Sequence, residues 1–412
     1  MARRVLFHVQ YLLGIGHLQR SLRIAEALVA AGIDVTLVQG GPPVPEIERD
    51  PGIDPGIDPG IDPGIDPGID PGIDPGVDPG IDIVQLPPIR ARDATFALVG
   101  AAGEPVDDAL RAVRRDRLLA AFAAARPDAV VIEGFPFARR AFRFELDPLI
   151  AAAREAGSPV ISSVRDIPTV RPDPDRLRDI VARVRRDFAA VLVHGDAAFI
   201  PFDAAFPAAP RIADRLHYTG YVTETHPTSS LAAPKDGDGE VLVSVGGGAA
   251  GRMLLQAALA ARRQGCLAGR VWRILAGAGL GDDALAALRR DAPPGVVIER
   301  FRRDFPALLR RCHVSVSQAG YNTVLDILAA RARAVLVPFA AERETEQAIR
   351  AEHLASRGAA HLLRERDLTP AALAAVIERA AAREPCPIAL DTGGARRAAA
   401  LIAGFITTGF SK

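Results

Sequence analysis

The chain has 412 residues, 49 % apolar and 24 % charged, with Lys+Arg and Asp+Glu both at 50. That length suffices for two domains with full cores, and formal neutrality excludes a global pull on nucleic acid, so an anionic ligand has to be held locally. Cys266, Cys312 and Cys386 have neither zinc-site spacing nor an even count, which predicts reduced thiols in a cytoplasmic protein.

In chain order, Val5 to Leu13 is apolar but broken by His8 and Gln10 and lacks a small-residue cleavage site, so it reads as a first strand, not a signal peptide. No run of 18 apolar residues follows anywhere, and none of the chain is expected to span a membrane. Gly14-Ile15-Gly16-His17-Leu18-Gln19 is a turn into a helix, and Val35 to Gln39 is a second strand. From Asp50 to Ile81 the tetrapeptide Asp-Pro-Gly-Ile occurs eight times, once with Val77. Proline at every fourth residue removes the donors that a helix or sheet needs, so a solvated loop is expected there, a spacer in preference to a calcium site.

Strands then alternate with amphipathic helices: Ile83 to Leu86, Ala129 to Glu133, Val160 to Ser163 and Val191 to His194, and after a polar stretch Val241 to Val245, Val271 to Ala276, Val296 to Glu299, Val314 to Val316 and Val335 to Val337. Such alternation predicts two α/β domains, each a Rossmann-like, doubly wound parallel sheet, facing a central cleft. The expected division is 1–225, with the repeat at 50–81 as a loop, and 226–412, whose last helix is free to pack back on the first domain.

Two glycine-rich turns test against the dinucleotide fingerprint and fail. Gly14 to Gln19 ends in Gln where Gly belongs, and Gly246-Gly247-Gly248-Ala249-Ala250-Gly251 matches, yet neither following strand ends in an acid for ribose. Gly246, Gly247 and Gly248 are still expected to cradle phosphate. The strongest signal is Ser317 to Gln347. Gln318, Gly320, Asn322 and Thr323 form a strand-to-helix turn that lets a ligand approach the backbone, with free N–H groups at the helix start for phosphate. Asp326, one turn on, suits ribose hydroxyls, and Glu346-Gln347 after the next strand suits sugar hydroxyls. Together these residues read as a nucleotide-sugar site.

With these motifs the chain resembles the GT-B glycosyltransferases related to MurG, the lipid-linked N-acetylglucosaminyl transferase of peptidoglycan synthesis, and above all their uncharacterised predicted-glycosyltransferase relatives. The resemblance covers nearly all of the chain outside the repeat. It implies that Gly14 to His17 lies across the cleft from the donor, that Gly246 to Gly248 contacts the diphosphate, that Asp326 holds the ribose, that Glu346 and Gln347 hold the donor sugar, and that Phe301 to Phe305 receives the base. MurG itself has a Gln pair and a ribose Glu, so Glu346 and Asp326 are departures. Glu133-Gly-Phe-Pro and Ser163-Val-Arg-Asp166-Ile stand on the acceptor side, as in the uncharacterised relatives.

The implied reaction is transfer of a sugar, UDP-linked in the first instance, to an acceptor that the sequence does not name, by an inverting displacement without metal or other cofactor. His17 is the expected base, because the positive end of a helix dipole keeps its ring neutral; Asp166 and Glu133 are its rivals. Arg20 and Arg165, with Gly14 and Gly16, line the acceptor side, where each arginine either binds an acidic acceptor or caps the surface. Scattered histidines and the absence of a strand-end Asp-x-Asp predict no metal site. Arg111 to Arg117 and Arg183 to Arg186 read as solvated helix faces, with docking to an anionic membrane surface as the sharper alternative. A nucleotide-sugar epimerase or hydrolase on the same scaffold, and a non-catalytic nucleotide-sugar-binding protein, are the other readings.

Overall fold

The computed structural model describes residues 3–12, 16–44, 80–92, 97–168, 173–223, 236–245, 251–277, 280–302, 304–339 and 346–408. The tetrapeptide repeat up to Pro79 and the glycines Gly14 and Gly246 to Gly248 lie outside these residues; the last residue of the repeat, Ile81, belongs to a strand and not to the expected loop. The described chain divides into two compact units, one running through 223 and regained at 391–408, the other running from 236 to 390.

The first unit is built on strands β1 (Arg3–Val9), β2 (Ile33–Gln39), β3 (Ile81–Gln85), β6 (Ala129–Glu133), β7 (Val160–Arg165), β8 (Ala190–His194) and β9 (Leu216–Tyr218), with a small antiparallel pair, β4 (Arg90–Ala91) and β5 (Leu98–Val99), beside them. The main sheet has the order β3-β2-β1-β6-β7-β8-β9 and every pairing in it is parallel. A parallel sheet is covered on both faces, which is why β6 and β8 are buried at every residue, including the polar residues that end them, Glu133 and His194. Helices are α1 (Gly16–Ala30), α2 (Asp108–Ala125), α3 (Arg143–Glu155), α4 (Pro174–Asp187) and, from the end of the chain, α11 (Gly394–Thr408).

Alternation along β1 sorts the two layers. Val5, Phe7 and Val9 face Leu18, Ile24 and Leu28 of α1 together with Ala398 and Ile402 of α11, whereas Leu6 faces Leu118 of α2 and Leu146 and Leu149 of α3. The return of α11 is pinned by Tyr221 N–H donating to Asp391 O (2.6 Å) and Gly394 N–H donating to Tyr221 O (3.1 Å). Gly394 has to be glycine, since a Cβ there would come within 2.6 Å of the Gly220 and Tyr221 backbone.

The second unit repeats the plan with β10 (Val241–Ser244), β11 (Trp272–Leu275), β12 (Val296–Glu299), β13 (Val314–Ser317), β14 (Ala334–Leu336) and β15 (His361–Leu362), all parallel in the order β12-β11-β10-β13-β14-β15. Its helices are α5 (Arg252–Arg263), α6 (Asp282–Arg290), α7 (Phe305–Arg311), α8 (Tyr321–Ala330), α9 (Glu346–Ser356) and α10 (Pro370–Ala381). Trp272 is fully buried in its core.

Two expectations need correction. The basic run on α2 is not uniformly solvated: Arg111 and Arg117 are exposed, but Arg114 is fully buried, donating to both Glu145 oxygens at 2.8 and 2.7 Å and to Gln10 Oε1 at 2.8 Å. Likewise Arg183 reaches Asp147 on α3 at 2.7 Å. Local charge alternation reads as a wet surface, and only the α2–α3 packing shows which arginine turns inward. Sequence reading also omits β9 and β15, short edge strands whose residues are only half-buried. All three cysteines are free thiols. Among the described residues no helix is long and apolar enough to cross a membrane.

Candidate functional site

In both sheets the strand order reverses once, between β1 and β6 in the first and between β10 and β13 in the second. At such a switch point the connections leave in opposite directions and open a crevice at the C-terminal strand ends, where ligands of open α/β sheets bind.

At the first switch point the side chains form one network. His17, second residue of α1, places Nδ1 2.7 Å from Glu133 Oε1 at the end of β6. Arg20, one turn further along α1 and 4 % exposed, pairs with the same oxygen. Glu133 Oε2 accepts from Ser163 Oγ of β7 at 2.8 Å, Ser163 Oγ lies 2.8 Å from His194 Nε2, and His194 Nδ1 lies 3.0 Å from Thr219 Oγ1. Burial alone would raise the Glu133 pKa, but Arg20 and the His17 bond outweigh it and hold this carboxyl well below the usual carboxylate range. As a carboxylate Glu133 only accepts, so His17 carries its proton on Nδ1 and leaves Nε2 as the unprotonated, accepting nitrogen. Burial, then the positive charges of Arg139 and Arg165, push His17 down to about 3 against the raising pull of Glu133. The ring is neutral near pH 7 and keeps 23 % side-chain exposure.

The two rival bases are placed differently. Asp166 is fully buried, accepting from Ile167 N–H at 2.9 Å and from Tyr221 Oη at 3.3 Å. Gly195 makes room for it, as a Cβ at 195 would lie 2.6 Å from the Asp166 Cβ. Glu133 is itself 1 % exposed and spent on His17, Arg20 and Ser163. Arg20 is thus an ion-pair partner within the network, and Gly16 opens α1 with space around its Cα. Arg165 closes β7, half-buried.

At the second switch point the groups are mostly backbone. Gly320 caps α8 at φ −62°, ψ 154° with no side-chain bond to the helix start, so Asn322 and Thr323 do not cap it. A Cβ on Gly320 would meet nothing nearer than Thr323 Oγ1 at 3.8 Å. Gln347 Oε1 accepts from Ala319 N–H at 3.2 Å and Phe339 N–H at 3.1 Å, tying together the loops that leave β13 and β14. Glu346, 5 % exposed, pairs with Arg350 at 2.9 Å; Arg350 also donates to Ala319 O at 2.9 Å and lies 5.6 Å over the Tyr321 ring. Gln318 and Asp326 are half-buried beside this turn, Asp326 in the second turn of α8. Ser315 and Ser317, on β13, bury hydroxyls that have no hydrogen-bond partner among the described residues. Phe301 is exposed and Phe305 opens α7; between them Arg302 bonds Asp236 and Asp304, fixing the loop. Sequence reading gave no role to His194 or Arg350, and covered Ser163, Ser317 and Arg302 only as members of the stretches it singled out. The one local signal was their position at or just beyond strand ends or in helix first turns.

Residues 241–400 match the glycosyltransferase family 28 C-terminal domain. Two relatives named UDP-N-acetylglucosamine--N-acetylmuramyl-(pentapeptide) pyrophosphoryl-undecaprenol N-acetylglucosamine transferase, from Rhodospirillum centenum and Brucella canis, are 34 % identical over 89 residues and 35 % over 80. These matches span 22 % and 19 % of this chain, and only 23 % and 21 % of the relatives' lengths. Among solved structures, the calicheamicin glycosyltransferase CalG4 aligns with a TM-score of 0.58 at 18 % identity over 99 % of this chain and 95 % of its own. MurG of Acinetobacter baumannii aligns with a TM-score of 0.56 at 16 % identity over 98 % and 99 %. The fold is therefore that of the GT-B glycosyltransferases. Within it, the family 28 C-terminal match covers the second unit from Val241 and runs on into the returning segment at 391–400, and the partial sequence matches are to N-acetylglucosamine transferases of the MurG type.

Proposed function

We propose that this chain is a glycosyltransferase that moves a sugar from a nucleotide-sugar donor to an acceptor hydroxyl, with the first unit activating the acceptor and the second binding the donor. The observation that carries this reading is the His17–Glu133 pair at the first switch point: a neutral imidazole whose tautomer is set by a buried carboxylate and whose Nε2 keeps its lone pair free to accept. In the proposed step, His17 Nε2 takes the acceptor O–H proton as the acceptor oxygen attacks the anomeric carbon. The bond from that carbon to the diphosphate oxygen breaks, and the nucleoside diphosphate leaves with the electron pair. One back-side displacement inverts the anomeric centre. Glu133 orients His17 and stabilises the imidazolium that forms; Asp166, sealed among its own partners, has no such access and is set aside as a base.

On the donor side, N–H groups at the start of α8 and the glycines Gly246 to Gly248 are assigned to the diphosphate, Asp326 to ribose and Phe301 to Phe305 to the base. The names of the MurG relatives specify UDP-N-acetylglucosamine, and UDP is carried over as the first nucleotide to test. Glu346 and Gln347 are assigned to the sugar through the loops they hold, since both already have protein partners. The phosphate charge is met by protein groups, so the reaction is proposed to need no metal. A thermal-shift screen across UDP-, GDP- and dTDP-sugars tests the donor. Incubation of the bound donor alone, with and without EDTA, then tests the reaction: slow EDTA-resistant hydrolysis supports transfer chemistry. A changed sugar would point to an epimerase, and tight binding with no turnover in an acceptor screen would point to a sensor.

A further inference from the structure

Arg139 is the exception among the deeply placed arginines. Arg114 and Arg350 each hold a buried glutamate, and Arg273 bonds Glu240 at 2.7 Å. The side chain of Arg139, a half-buried residue, makes no hydrogen bond and no ion pair among the described residues, and its Nε is buried without a partner. A guanidinium offers five N–H donors; the one on Nε is left unused away from water, which is costly, and the four on the terminal nitrogens have no protein partner among the described residues.

Its backbone is equally unusual. Gly134 turns out of β6 at φ +79°, tied to β7 by its N–H on Ser163 O at 2.8 Å, and accepts from Ala138 N–H at 2.7 Å. Arg139 follows at φ +61°, ψ 23°, a left-handed conformation uncommon for a residue with a side chain. That geometry lays its Cγ 3.6 Å from where a Gly134 Cβ would stand, so the side chain runs back along the end of β6 towards Glu133. Glu133 does not complete it, because both carboxylate oxygens are already bonded by His17, Arg20 and Ser163. Arg139, Arg165 and Arg20 instead share the field of this single carboxylate: repulsion from Arg165 and Arg20 adds to burial in pushing Arg139 down to about 10. Asp166 meets Ile167 N–H and Tyr221 Oη. Strain and unspent charge held at a strand end are features that persist when a ligand uses them.

We infer that the acceptor carries an anionic oxygen group, a phosphate or carboxylate, that the Arg139 guanidinium binds beside His17, with Arg165 as the second cation of the subsite. Arginine suits this role because its planar fork meets such a group with two parallel bonds. The inference rests on the reading that the first switch point receives the acceptor.

Binding is measured on the full chain by calorimetry with phenyl phosphate and with benzoate, in saturating UDP so that the nucleotide site is filled. The wild type is expected to bind at least one of these probes saturably. Arg139→Gln should weaken that probe at least tenfold and Arg139→Lys less, while UDP affinity stays within twofold. Arg139→Gly, which relieves the left-handed strain, should melt no lower than the wild type and still lose the probe, separating a ligand role from a structural one. Equal probe affinity in wild type and Arg139→Gln, or no saturable binding to the wild type, would overturn the inference. So would a tenfold loss of UDP affinity in Arg139→Gln, which would give the guanidinium to the donor diphosphate. No turnover is involved, so probe binding without sugar transfer by any UDP-sugar would sink the transferase reading and leave the anion subsite standing.

Discussion

The two switch points solve the same geometric problem with opposite materials. Between β1 and β6 the crevice is furnished by side chains: His17, Glu133, Arg20, Ser163 and His194 are linked by short hydrogen bonds, and three of them are buried ends or neighbours of strand ends. Between β10 and β13 it is furnished by backbone, a bare Gly320 helix start and loops clamped from behind by Gln347 and Arg350. The difference teaches what each end is equipped to do. A fixed imidazole can move a proton; a glycine-capped helix start has no group to titrate but lets phosphate approach N–H donors closely.

The sharpest way to break this contrast is to remove the proton-moving group. His17→Ala is expected to lower acceptor-dependent turnover by about 10²-fold or more with UDP affinity nearly unchanged, and Glu133→Gln should follow it, since an amide no longer fixes the tautomer. His17→Gln should not restore the rate. If either variant lost UDP affinity in calorimetry as steeply as turnover, the two crevices would not divide the work as described.

Next in size is the clamp behind the second crevice. Arg350→Met removes the ion pair with buried Glu346 and the bond to Ala319 O and is expected to destabilise the fold by about 3–5 kcal/mol, read from the denaturant midpoint. The double variant Glu346→Leu with Arg350→Met should recover most of that loss, because an apolar pair replaces a buried ion pair at little cost. A double variant no better than the single would mean that the Arg350 bond to Ala319 O, not the ion pair, carries the stability.

The histidines of the first crevice give a pH signature that the second crevice lacks. Burial, with other charges, pushes both His17 and His194 down to about 3, whereas an unfolded chain titrates its histidines near 6.5. Below about pH 6.5 the unfolded state therefore binds more protons than the folded one, and stability is lost as pH falls. Above the carboxylate range the slope should approach about 1.4 kcal/mol per pH unit for each ring. His217, His313, His353 and His361 are also lowered by burial and add to the slope, so replacing His194 by Gln should remove only its own share, about 1.4 kcal/mol per pH unit between about pH 5 and 6, measured by urea unfolding at each pH. Correspondingly, kcat/KM should show no acid limb near 6.5 from His17; such a limb would mean that the ring is not held neutral.

The smallest structural effect should accompany a clear functional one. Gly320→Ala meets open space at a φ that alanine adopts freely, so stability should stay within about 0.5 kcal/mol. UDP affinity should nevertheless drop about tenfold if diphosphate comes close to the start of α8. Unchanged affinity would remove that helix start from the donor site.

Apolar runs punctuated by turns placed eleven strands to within a residue or two, because parallel strands buried on both faces need continuous Val, Ile and Leu whatever lies next to them. The short edge strands β9 and β15 carried no such signal. His17 was readable as a helix-start histidine, and Gly320 as a turn glycine, since both properties are local. That Glu133 meets His17 from 116 residues away was not readable, nor was the sharing of Glu133 among Arg20, Ser163 and, through Ser163, His194. In the same way Arg114 looked like its solvated neighbours until α3 supplied Glu145, and nothing local showed that Glu346 pairs with Arg350 or that Gln347 Oε1 ties the loops at Ala319 and Phe339.

The sequence by itself determined the elements, the two sheets they form and the turns at which each sheet opens, because hydrophobic period, glycine and proline act over a few residues. Tertiary structure alone decided which charged groups share an end: strand order brings β6 beside β1 and β13 beside β10, and hydrogen bonding through low-dielectric space depends on that adjacency, not on distance along the chain. It also decided that 391–408 rejoins the first unit, where α11 covers apolar surface of β1 and α1 that would otherwise stay in water.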